Sequence, residues 1–73
     1  MRYTLKMLYD LATNIGILDR YSYQITQQLG MWHLERDIGG DTKLILTAST
    51  KKALYNNMLA YKQGMETWRV NEM

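Results

Sequence analysis

From Thr4 to about Asn14 apolar residues recur at helical spacing, and Leu5, Leu8, Leu11, Ala12 and Ile15 make one stripe. Lys6, Asp10, Thr13 and Asn14 fall off it. Thr4 is placed to cap this helix, and Gly16 to stop it in the left-handed conformation. Ile17-Leu18-Asp19-Arg20 then reads as a short connection. The period changes to two in Tyr21-Ser22-Tyr23-Gln24-Ile25-Thr26-Gln27, which predicts a half-buried strand of β-favouring residues. Gln28-Leu29-Gly30 turns the chain. Alternation resumes in Trp32 to Ile38, with Trp32, Leu34, Arg36 and Ile38 on one face and His33, Glu35 and Asp37 on the other. Gly39-Gly40-Asp41 supplies a hairpin turn, because glycine accepts the positive φ such turns need. Lys43 to Ala48 is the returning strand. Ser49 or Thr50 caps a second helix from about Lys51 to Gln63, with Leu54, Met58 and Tyr61 on its apolar face and Tyr55 and Leu59 widening it. Gly64 is its expected stop. Met65 to Val70 either forms a short fourth strand or continues the helix, and the pattern favours the helix.

The predicted fold class is α+β: one domain over residues 1–73, ordered α-β-β-β-α, with a three-stranded antiparallel sheet packed on two helices. The other sheet face stays wet and displays Ser22, Gln24, Thr26, His33, Glu35 and Asp37. A competing pattern joins Ile25, Leu29 and Trp32 in one helix from Tyr21 to Glu35. The strict alternation on both sides of Gly30 argues against it. A helix-turn-helix, with its turn at Gln27 to Met31 and a recognition helix from His33 to Ile38, is about two residues too short after Leu29-Gly30.

Composition adds limits. The chain has 73 residues, 47% of them apolar, with six Tyr, two Trp and six Met but no Phe, Pro or Cys. Without disulfides, stability must come from packing or from a partner subunit. The cysteine-free chain suits a reducing cytoplasm, the host's if the protein is viral. No stretch is long enough to span a membrane, so no membrane association is expected. Net charge is +2, but its distribution is uneven. Thr42 to Gln63 holds Lys43, Lys51, Lys52 and Lys62 and no acid, whereas Gly30 to Asp41 holds Glu35, Asp37 and Asp41 against Arg36 alone. A polarised molecule is expected.

Several landmarks resemble the double-stranded RNA-binding domain. Gly16 followed by Arg20-Tyr21 is similar to that family's link from first helix to first strand. Gly39-Gly40 is similar to the turn between its second and third strands. Ser49-Thr50-Lys51-Lys52-Ala53 resembles the start of its last helix. The resemblance spans about Thr4 to Tyr61 and implies the same α-β-β-β-α fold. It also implies phosphate contacts from Lys51 and Lys52. The family's third lysine falls near Leu54 here, and its loop between the first two strands shrinks to about Gln28–Gly30. Its polar contacts from the first helix are reduced to Lys6 and Asp10.

No residue set suggests catalysis. His33 is the only imidazole, and no nucleophile has a base assigned to it by spacing. Gly39-Gly40 lacks the spacing and lysine of a phosphate loop. His33, Glu35 and Asp37 read as a solvated strand face rather than metal ligands, and no cofactor is implied. The function expected is therefore non-enzymatic binding. A small chain with no enzyme signature and no linker suits a stoichiometric protein-binding factor. Viral and mobile-element accessory or inhibitor proteins that act on a host or defence complex, including nucleic-acid-handling ones, are of this class. Trp68, Arg69 and Tyr55 are its candidate protein-binding residues, since Trp, Tyr and Arg are enriched at hot spots. The alternative is a duplex RNA-binding module using Lys43, Lys51, Lys52 and Lys62. A homodimer through the sheet or an edge strand fits either.

Overall fold

A computed structural model describes the backbone of residues 2–72 and the side chains of residues 2–67. The order is α1 (Leu5–Asp19), β1 (Ser22–Gln28), β2 (Met31–Asp37), β3 (Thr42–Ala48) and α2 (Lys51–Glu72). The strands form one antiparallel sheet in the order β1-β2-β3. Both helices lie on one face of it. The core between them is Leu8, Leu11, Ala12 and Ile15 of α1, Leu54 and Met58 of α2, and Ile25, Leu34 and Ala48 of the sheet.

Leu8, Leu11, Ala12 and Ile15 of the α1 stripe bury as their spacing predicts, whereas Leu5 in the first turn stays exposed, and Thr4 caps the helix by accepting the Met7 N–H on Oγ1 at 3.3 Å. The end of the helix differs from the sequence reading. Gly16 does not stop it. Ile17, Leu18 and Asp19 form another turn, and Arg20 takes the left-handed conformation at φ 65°, its N–H donating to the Gly16 carbonyl at 2.7 Å. Gly16 is needed for a different reason. A Cβ there would fall well inside 3.0 Å of the Tyr21 carbonyl oxygen, where Cβ atoms essentially never sit. Glycine thus allows the returning chain to lie directly on the helix.

The pairs Ser22↔Asp37, Gln24↔Glu35 and Thr26↔His33 share one sheet face, the wet face that alternation predicts. Ile25↔Leu34↔Leu46 crosses the core face. Leu29 and Gly30 connect β1 to β2 with both residues at positive φ, 52° and 75°. The second connection starts one residue earlier than predicted, so that Ile38 is in the loop; its N–H donates to the Asp41 carbonyl at 3.0 Å. The β2–β3 register shifts between Leu34 and Glu35, leaving Ile45 as the extra residue of a bulge. Consecutive Ile45 and Leu46 both pack against the core as a result, and Leu44 turns outward.

Thr50 caps α2, accepting the Ala53 N–H at 3.0 Å. Gly64 does not end this helix either. It is helical with open space around it, and α2 continues to Glu72. Met65 to Val70 are therefore helical and not a fourth strand.

Candidate functional site

Three segments meet at one end of the molecule. The β1–β2 turn sits there, beside Trp32, which pairs with Gln27 on one side and Ala48 on the other. Ala48 leads directly into the start of α2, where Lys51 Nζ lies 5.7 Å from the centre of the Trp32 ring. The start of α1 joins them, because Tyr3 packs on Tyr55 of α2 with ring centres 5.3 Å apart. The direction of α1 is fixed by Tyr9, whose hydroxyl donates to the Ile25 carbonyl at 3.1 Å, and by Asp19, which reaches Arg36 at the opposite end of the sheet.

The charges at this end are mostly of one sign, although Asp10 follows Lys6 by four residues on α1. Residues 2–9, 27–33 and 47–59 contain Arg2, Lys6, Lys51 and Lys52 and no acid. Arg2, Lys6 and Lys52 are exposed and Lys51 is half-buried. Both helices also begin here, and neither has an acid in its first turn. A helix N-terminus carries roughly half a positive charge on its free N–H groups. Two such termini and four cations give this end an excess of positive charge, which favours anions.

The four lysines grouped by sequence do not form one surface. Lys51 and Lys52 belong to the basic end. Lys43 lies at the other end of β3, opposite Arg36. Lys62 shares a helix face with Lys51 but lies about 16 Å further along, and its Nζ is 2.7 Å from Glu66 Oε1. Tyr55 is half-buried, with its ring against Tyr3 and the core. The side chains of Trp68 and Arg69 lie outside the described residues. Arg2 is not a candidate from sequence, and Lys6 is one only as a remnant of the first-helix contacts that the family resemblance implies; the packing of Tyr3 on Tyr55 places both at the same end as Lys51 and Lys52. The acid-free first nine residues were the available signal.

At the opposite end the chain carries a side-chain cluster centred on Arg36. Arg36 reaches from the core face of β2 to Asp19 at 3.3 Å, the Tyr23 hydroxyl at 3.0 Å and the Tyr61 hydroxyl at 3.2 Å, with its guanidinium 4.6 Å from the Tyr21 ring centre. Tyr23 also donates to Asp19. Burial first, and then the hydrogen bond to Asp19, push the Tyr23 phenol well above its ordinary value. This cluster joins α1, β1, β2 and α2. Nearby, the Asp37 and Asp41 carboxylates accept the Gly39 and Thr42 N–H groups in the turn.

On the wet face Glu35 accepts from Thr26 at 2.6 Å and Thr42 at 3.3 Å. His33 Nδ1 is sequestered without a hydrogen-bond partner among the described residues, so no carboxylate orients it. The concavities between α1 and β1 and beside the β2–β3 turn are open, at about 330 and 390 Å³. Among the described residues no group of three His, Asp or Glu side chains could hold a metal ion, and no helix is long and apolar enough to cross a membrane. No protein-family model matches the chain, and no curated protein or solved structure does either.

Proposed function

We propose that this protein is a non-enzymatic binding module that holds duplex nucleic acid by its phosphates at the basic end. The observation that carries this reading is the convergence of two helix N-termini with Arg2, Lys6, Lys51 and Lys52, unopposed by any acid in the three segments. The α-β-β-β-α order and the Ser49-Thr50-Lys51-Lys52-Ala53 resemblance to double-stranded RNA-binding domains support the same ligand class. Lys43 and Lys62 are not part of this surface.

The test is titration of labelled 20-base-pair RNA and DNA duplexes at several salt concentrations. Four phosphate contacts give a slope near −3.6 in log K against log salt, so affinity falls roughly 100-fold between 50 and 200 mM salt. The Lys51→Ala/Lys52→Ala variant is expected to reduce that slope by about 2. Absence of binding at low salt, or a flat salt response, overturns the proposal.

A second reading is the stoichiometric protein-binding factor, of the kind viral and mobile-element genomes encode against host complexes. An apolar stripe that starts at the basic end and runs along α1 away from it favours it. Leu5, Tyr9 and Ile17 recur at multiples of four along α1 and are 43%, 42% and 71% exposed, with Tyr21 beyond them at 49%. This uncharged stripe suits a protein partner better than a phosphate backbone. Leu5→Ser/Ile17→Ser and Lys51→Ala/Lys52→Ala variants separate the readings. Under the second one, the α1 substitutions abolish complex formation with a purified partner and the lysine substitutions leave it intact.

A further inference from the structure

Along α1, Leu5, Tyr9, Thr13 and Ile17 stand four residues apart, and Tyr21 follows at the same interval just past the end of the helix. Such a row is one ridge of a helix surface. All five residues are exposed and none is charged, with Lys6, Asp10 and Arg20 bordering the row. A groove runs beside the ridge. Ala12 and Gly16 are too small to fill it, and they lie in the concavity of about 330 Å³ that Thr13, Ile17 and Tyr21 also line.

Two polar groups of the row are already satisfied within the chain. The Thr13 hydroxyl donates to the Tyr9 carbonyl at 2.9 Å, and the Tyr9 hydroxyl donates to the Ile25 carbonyl at 3.1 Å. A partner can therefore cover both residues without stranding either hydroxyl, which is the usual penalty for burying one. This distinguishes the face from an ordinary wet helix surface, where hydroxyls depend on water.

The spacing identifies what fits. Two copies of α1 related by a twofold axis lie antiparallel, and each offers the other the same patch. With the axis at Thr13, Tyr9 of one copy faces Ile17 of the other, Leu5 faces Tyr21, and Thr13 faces itself. The ridge of each copy then enters the small-residue groove of the other, the commonest way for helices to pack. Leu5, Tyr9, Ile17 and Tyr21 are 43%, 42%, 71% and 49% exposed. Together they offer roughly 450 Å² per copy, or about 900 Å² in all. Specific interfaces begin at about 1,000–1,200 Å². With its bordering residues included, this face has the area of a weak, concentration-dependent dimer.

We infer that the exposed face of α1 is an interface between two copies of this chain, related by a twofold axis at Thr13. This rests on the protein-binding reading of the same stripe and names the partner.

The test is sedimentation of the full-length protein between about 5 and 500 µM. The mass is expected to rise from 8.6 kDa toward twice that value, with half-dissociation at roughly 10–100 µM. Ile17 is too exposed to support the fold, so Ile17→Asp should keep the wild-type melt while weakening the dimer at least about tenfold. The chain has no cysteine, so Thr13→Cys introduces a single thiol. At concentrations where the dimer forms it should oxidise to a covalent dimer, and Gln63→Cys, at an exposed position of α2, should not. A wild-type chain that stays monomeric at the highest concentration overturns the twofold interface. So does a dimer that Ile17→Asp leaves intact, or one in which Gln63→Cys cross-links as readily as Thr13→Cys. If the chain is monomeric and Leu5→Ser/Ile17→Ser still abolishes binding of a purified partner, the protein-binding reading survives with another occupant; if that variant binds the partner normally, both fall.

Discussion

Alanine at Gly16 and alanine at Gly64 are expected to change stability in opposite directions, although both glycines are helical. Gly64 lies well inside α2 with nothing within 4 Å of the added methyl. Only the backbone term acts there, so Gly64→Ala should stabilise by about 0.5–1 kcal/mol. At Gly16 the same gain is opposed by overlap with the Tyr21 carbonyl oxygen. A side chain could rotate away; this backbone cannot do so cheaply. Tyr21 donates its N–H to Asp19 Oδ1 at 3.1 Å, and Asp19 is held in turn by Tyr23 and Arg36. Relieving the overlap means moving the start of β1 and disturbing that cluster. Overpacking costs about 1–3 kcal/mol, and an overlap this deep with backbone falls in the upper part of that range, about 2–3 kcal/mol. With up to about 1 kcal/mol of helix propensity returned, Gly16→Ala should destabilise by about 1–2 kcal/mol. For a domain of this size that lowers Tm by roughly 4–16 °C, while Gly64→Ala raises it by a few degrees. Circular dichroism melts and urea titrations with a constant m-value measure both. A Gly16→Ala variant as stable as wild type would refute the close approach of α1 and β1. A destabilised Gly64→Ala would refute an uninterrupted α2.

The Arg36 cluster gives two further outcomes. Arg36→Met leaves the mostly buried Asp19 carboxylate without its cation and removes hydrogen bonds to Tyr23 and Tyr61, so a loss of about 2–3 kcal/mol is expected in urea unfolding; a loss below about 0.5 kcal/mol would mean the cluster contributes little. Because the Tyr23 phenol is raised in the fold, the unfolded chain gives up that proton near pH 10 while the native state keeps it. Stability should therefore fall as pH rises beyond about 10, and Tyr23→Phe should flatten that fall; an unchanged alkaline slope in the variant would contradict the assignment. Leu29→Asn should stabilise the isolated protein by about 0.5–1 kcal/mol, since asparagine accepts the left-handed turn position and no burial is lost; a lower urea midpoint would show that Leu29 serves the fold after all.

The sheet was legible because alternation is a local signal. Tyr23 and Ile25, then Trp32, Leu34 and Arg36, declare their face without reference to the rest of the chain. The glycines were not legible in the same way. Gly16 and Gly64 look alike in sequence and resemble helix stops, but what matters at Gly16 is a carbonyl five residues later, and at Gly64 the absence of any neighbour. Asp19 reads in sequence as part of a connection, and nothing local reveals its partnership with Arg36 or the extra turn of α1. The basic surface was half legible. Lys51 and Lys52 are adjacent in sequence, but β3 carries the chain across the sheet between Lys43 and Lys51, so the acid-free run from Thr42 to Gln63 divides between two ends. The packing of Tyr3 on Tyr55, which brings the start of α1 to α2, has no local signal in the sequence.

The two ends imply a separation of stability from binding, and Lys52→Glu tests it directly. At one end Arg36, Lys62, Asp37 and Asp41 all find partners within the chain. At the other, like charges gather on two helix N-termini, where acids would be favoured by about 0.3–1 kcal/mol each. Lys52 is exposed in the first turn of α2, and an acid there would complement the helix dipole and relieve repulsion from Lys51. Lys52→Glu is therefore expected to raise Tm slightly while sharply weakening binding to duplex nucleic acid. Those opposite changes in one variant would be hard to obtain from a solvated lysine that serves no ligand. If Lys52→Glu stabilised the protein and left duplex binding unchanged, the basic end would not be the surface that holds the phosphates.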